Sequence, residues 1–257
     1  MSFRIRPILA GIAVSGLLVA GSATMVTAVG PAGAAGPAGK GVCATQATAS
    51  RANPTVETLR AFGDCEITRR FATLDTLASR IAGSKVLTNP HAADLSAKIS
   101  AARSGLTTLK TTIDSETAIA TLKADIAKIV TDYRVYVLLA PQVHLVNGAD
   151  GVAAAQPRFN DMSTRLTARI ATAKAAGKDT TAAQGHLDAM KAAATRAVSL
   201  AQPIPGKVLP LTPSDWNSGA AGPVLNQART DLVAARNQLR TAVAEAKACR
   251  EALKALR

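Results

Sequence analysis

From Leu225 to Leu256, apolar residues return at alternating steps of three and four: Leu225, Ala228, Leu232, Ala235, Leu239, Ala242, Ala246, Cys249, Leu253 and Leu256. A 3.5-residue repeat kept this long demands a helix lying along a partner helix in left-handed, coiled-coil-like packing. At 1.5 Å per residue the segment predicts a rod of about 50 Å. Leu alternates with Ala along the seam, so neighbouring helices can approach closely while each contact buries little area.

The same rhythm recurs upstream. Ile67, Phe71, Leu74, Ala78 and Ile81 predict a first helix from Pro54, behind a capping Asn53, to about Ala82, with Gly63-Asp64 a point of interruption. Gly83-Ser84 ends it. Asn89-Pro90 opens a second helix, with Leu95, Ile99, Leu106, Leu109 and Ile113 on its seam, antiparallel to the first across a short loop. A third runs from Ile119 through Tyr133 and Tyr136 to Val143, with Pro141 predicting a kink near Val137 rather than a break. Phe159 to about Gly177 is a fourth, and a fifth capped by Asp179 reaches Ala201. The expected fold is all-α, an elongated up-and-down bundle of about six helices. Arg80-Ile81-Ala82 and Arg169-Ile170-Ala171 occupy matching points of two hairpins, which suggests two pseudo-repeated halves. Five prolines between Gln202 and Pro223 predict a long irregular loop, 202–223, carrying Trp216.

The other end of the chain speaks of export. Arg4 and Arg6 precede an apolar run, Ile8 to Ala20, followed by small residues, which is the layout of a secretory leader. The run is shorter than the roughly 20 residues that span a bilayer, so cleavage, after Ala23, Ala28 or Ala34, is favoured over an uncleaved anchor. Lys40-Gly41-Val42 before Cys43 is a poor lipidation site. The chain thus divides into a leader and processing region, 1–36, a flexible Gly/Ala-rich tail, 37–53, and the helical domain, 54–257. Export permits disulfides, and Cys43, Cys65 and Cys249 leave one over. A closed bundle of even helix count brings Cys65 to Cys249; the rival is a local Cys43–Cys65 clip.

Little in the chain suggests catalysis. His91, His144 and His186 lie on different predicted helices without a second ligand at helical spacing, so no metal site is expected. No nucleophile elbow, phosphate-binding loop or paired carboxylates occur, and the expectation is a non-enzymatic protein without a cofactor. Two groups of residues remain as candidates. Tyr133, Tyr136, His144 and Trp216 are a candidate ligand pocket between the kinked third helix and the proline-rich loop, unless they are simply core. Arg229, Arg236, Arg240, Lys247 and Arg250 are a candidate basic face on the last helix, unless it is merely solvated. The formal net charge of +13 favours anionic polymers or lipid surfaces as partners. Nucleic acid is disfavoured by export and by the absence of aromatics among the basic residues. A protein partner or self-association through an exposed Leu/Ala seam is a further reading.

The Tyr133–His144 segment, the Leu209-Pro210-Leu211-Thr212-Pro213 loop with Trp216, and the Cys249-Arg250 ending together resemble secreted all-helical proteins of high-GC Gram-positive bacteria, over roughly Thr55 to Arg257. The resemblance implies secretion, a site at the cell envelope or outside it, and a helical fold. It implies no activity and no functional residues. The function expected is structural or interactive, with a small-ligand carrier as the alternative.

Overall fold

Helices take up most of residues 41–256, which the computed structural model describes, and no strand occurs among them. The expected leader, 1–36, with its cleavage points and its anchor alternative, lies outside the described residues. In chain order the helices are α1 Ala44–Ala52, α2 Val56–Ala82, α3 Asn89–Ser115, α4 Ile119–Thr131, a π-turn Val135–Leu139, α5 Ala140–Ala153, α6 Gln156–Ala175, α7 Thr181–Ala201, α8 Ile204–Val208, α9 Pro213–Asn217 and α10 Ala221–Ala255. This is the all-α bundle expected from the periodicity, and two apolar cores hold it together. The first gathers α2 to α5, the end of α7, α8 and the first half of α10; the second joins α6, the start of α7 and the second half of α10.

α7 and α10 connect the cores. They run antiparallel: Cys249 donates its thiol hydrogen to the Ala183 carbonyl at 3.2 Å, while Ala201 and Ala221 meet in the first core. Ala193, Ala194 and Ala197 on α7 and Ala228, Ala235 and Ala242 in the α10 repeat are buried where the two helices pack. Methyl-sized side chains permit interhelical approach at the close end of the 8–10 Å range, roughly 8 Å.

The expected disulfide is corrected. Cys43 bonds Cys65, and Cys249 is a buried free thiol. The reason is that the helices do not close into one ring: the second half of α10 leaves the first core to pack on α6 and α7, so Cys249 never flanks α2. The expected flexible tail is also corrected over 44–52, where the disulfide clips a short Ala-rich helix against α2.

Several local expectations change for physical reasons. α2 starts two residues later than Asn53-Pro54 predicts: Thr55 caps it through a reciprocal pair with Thr58. Gly63 does not interrupt it. An added Cβ there would lie 3.3 Å from Ile126 and 3.4 Å from Ile113, so the glycine serves the close approach of α3 and α4. The third helix is broken, not only kinked. Val137 does fall in the π-turn, whose i→i+5 bonds include Ala140 N–H to Val135 O, but three residues earlier Arg134 adopts φ +41° and severs α4 from it. Pro141 stands at the second position of α5, where a missing N–H is tolerated. α5 runs on through Asn147-Gly148 to Ala153. The 202–223 segment, expected to exclude helix, holds α8 and α9. Pro205 and Pro213 occupy first-turn positions, and Thr212 pairs reciprocally with Asp215 to cap α9.

Polar ties lock loops onto the first core. Arg60 donates from Nε to Ile113 O at 3.2 Å and from Nη2 to Glu116 O at 2.6 Å, satisfying the end of α3. Asp150 is buried and accepts from Thr88 N–H at 2.8 Å and contacts His91 Nδ1 at 2.9 Å, which fastens the α2–α3 turn to α5.

Candidate functional site

The four residues expected to share a pocket do not. Tyr133 lies against Gly105 of α3, where an added Cβ would come within 2.6 Å of the ring, and it lines a cleft of about 270 Å³. Burial, then the Asp132 charge, raises its pKa and keeps the phenol protonated. Tyr136, three residues on, turns to α2, where Arg69 and Arg70 place their guanidinium carbons 5.0 and 5.1 Å from its ring centroid. His144 is at the surface, its Nδ1 accepting from Arg80 Nη1 at 3.0 Å. Partial burial of the ring, then the Arg80 charge, lowers its pKa. Trp216 packs against the first core from α9. The core reading therefore holds for Tyr136 and Trp216, and the shared pocket of four is withdrawn.

The cleft does lie where the broken third helix meets the proline-rich segment. Asp132, Tyr133, Leu138 and Leu139 form one wall, Lys98, Ala101 and Ala102 of α3 another, and Leu211, Thr212 and Pro213 a third. Gln142 also lines it, almost fully buried, donating from Nε2 to Val208 O at 2.7 Å and Leu211 O at 2.9 Å. Gln142 and Lys98 were not singled out from sequence. A lone amide inside the otherwise apolar run Leu138 to Val143 was the available signal.

The basic residues of α10 fare differently. Arg229, Arg236, Arg240, Lys247 and Arg250 are all exposed. With Leu225 at heptad position a, Arg229, Arg236 and Arg250 are at e, and Arg240, Lys247 and Lys254 are at b. Positions e and b adjoin, so all six cations line one flank of the helix. From Arg229 to Lys254 the row is about 38 Å long. Arg229 and Arg240 bond only to the neutral amides of Asn226 and Asn237, at 2.8 and 2.7 Å, and none of the six is ion-paired among the described residues.

The contrast with the first half of the chain is sharp. Residues 41–155 carry 12 Lys and Arg against 10 Asp and Glu, and 156–256 carry 14 against 7. In the first half five of the twelve are ion-paired: Arg69 and Arg70 with Glu66 at 2.8 and 2.5 Å, Arg103 with Asp75, Lys110 with Asp64 at 2.6 Å and Lys128 with Asp125 at 2.8 Å. In the second half the sole such pair among the described residues is His186 with Glu245, at 2.7 Å.

Among the described residues no three His, Cys, Asp or Glu side chains gather as metal ligands, and no helix is long and apolar enough to cross a membrane. Burial raises the pKa of Cys249, against the opposing charges of Arg169 and Arg250. No family model, no curated protein and no solved structure matches the chain.

Proposed function

We propose that the protein is an exported, non-enzymatic helical bundle that binds anionic polymer of the cell envelope along the e/b flank of α10. The observation that carries this reading is the row of six exposed, unpaired cations on one rigid helix, in the half of the chain that holds most of the charge excess. A rod of fixed charges suits an extended polyanion: its counterions are released on contact, and little conformational freedom is lost on the protein side. The Cys43–Cys65 disulfide supports an oxidising compartment and so the export step. The resemblance to secreted helical proteins points the same way.

The test is binding of the purified protein to immobilised polyanion, with neutral dextran as control. Raising salt from about 50 to about 200 mM should weaken binding on the order of a hundredfold, from release of about five counterions. Arg229→Gln, Arg236→Gln and Arg240→Gln together should flatten that slope. Salt-independent binding, or a triple variant that binds as the parent does, rejects the assignment.

A further inference from the structure

The cleft at the break in the third helix has features that the polyanion reading leaves unused. Its Lys98 ammonium and Asp132 carboxylate are opposite in sign, so it offers no net field to an ion. Its walls are otherwise apolar: Ala101, Leu138, Leu139 and Pro213 among them. Gln142, which also lines it, has committed its amide hydrogens to two carbonyls, which leaves Oε1 without a protein donor among the described residues. Beside it Tyr133 presents a protonated phenol.

The backbone here is built, not slack. Arg134 is the sole non-glycine at positive φ among the described residues, and it is followed at once by a π-turn, a pairing that recurs at binding sites. α9 holds this geometry: Arg134 Nε donates to Asn217 Oδ1 at 2.7 Å, and Asn217 Nδ2 donates to Thr131 O at 2.9 Å. The Gln142 bonds fasten the opposite wall. Both walls are thus set before any ligand arrives, which lowers the ordering cost of binding.

We propose that this cleft is a binding site for a small, uncharged, ring-sized apolar molecule carrying one hydroxyl or N–H donor, of the phenol or indole class. The ring fills the space between Leu138, Leu139 and Pro213, and the donor reaches Gln142 Oε1. A volume of about 270 Å³ holds such a molecule with room to spare and falls below the roughly 300–1,000 Å³ of drug-sized ligand sites.

The purified protein is titrated with phenol, indole, toluene and benzoate and followed by amide 1H–15N shifts. Phenol and indole should give saturable shifts confined to Lys98–Ala102, Asp132–Leu139, Gln142 and Leu211–Thr212. Toluene, without a donor, should bind about fivefold more weakly, and benzoate should not saturate. Ala101→Phe, at an exposed position of the α3 wall, should abolish the phenol and indole shifts, and Leu211→Trp should do so from the opposite wall, each with an unchanged far-UV circular dichroism spectrum. Scattered or non-saturating shifts, binding that survives a folded filling variant, or toluene or benzoate equal to phenol overturns the proposal. The polyanion reading is untouched by any of these outcomes, because no α10 cation lines the cleft.

Discussion

At the scale of single residues, buried charge is the most exacting feature of the first core. Arg70 is 3 % exposed and depends on Glu66, which also serves Arg69. Glu66→Gln leaves a guanidinium enclosed without its counter-charge, so thermal or urea unfolding should show a loss of about 3 kcal/mol, well beyond a surface substitution. Gly148 makes a steric demand of its own. A methyl there would meet Leu232 Cδ2 at 2.6 Å, so Gly148→Ala should lower the urea midpoint by about 1–3 kcal/mol despite alanine's better helix propensity; a gain in stability would contradict the contact. His144 adds a pH dependence. Since its folded pKa is lowered, the unfolded chain takes up the proton first as pH falls, and the stability present above the ordinary value is lost between that value and the lowered one. The melting temperature should therefore drop less in His144→Gln than in the parent between about pH 7.5 and about pH 5; equal drops would contradict it.

At the scale of elements, periodicity carried most of the information. The α10 register, the α2–α3 and α6–α7 hairpins and the Ala201 end of α7 follow from apolar spacing alone, because a helix shows its buried face every three or four residues whatever it packs against. Prolines misled in both directions. Pro205 and Pro213 lie in first turns and permit helix, and Pro141 sits inside α5 while the chain breaks at Arg134, which no local propensity marks. The cleft was legible only as a place: Tyr133 could be named from its segment, but Tyr136 and Trp216 could not be told from core, since three residues across a π-turn point to different helices. α1 is the element least supported by packing. It buries only Ser50 and touches α2 beside the disulfide, whose loop of 22 residues gives a chain-entropy figure of about 3 kcal/mol. Cys43→Ser should therefore speed amide exchange in Ala44–Ala52 while leaving α3 protected; loss of protection in both would mean that the clip holds the whole first core.

At the scale of the whole molecule, charge divides the described chain by sequence, while α10 runs through both apolar cores. Arg69, Arg70, Arg103, Lys110 and Lys128 in the first half meet carboxylates, and exposed pairs of that kind contribute about 0–1 kcal/mol each. The α10 row has no such partners among the described residues. The free row is rigid because α10 is continuous through both cores, its Leu and Ala seam fixed against α7, so the e/b flank cannot collapse onto acidic residues elsewhere. The α2–α3 and α6–α7 hairpins lead to different helices: α4, broken from α5 beside a cleft, and α10, an unbroken charged rod. The two halves should respond differently to the same chemical change. Neutralising Lys98, Lys110 and Arg103 on α3 removes as much charge as neutralising Arg229, Arg236 and Arg240, yet only the α10 set should weaken polyanion binding, by about tenfold or more at low salt. Equal losses from the two sets would mean that net charge alone attracts the polymer, and that the alignment of the α10 row has no part in recognition.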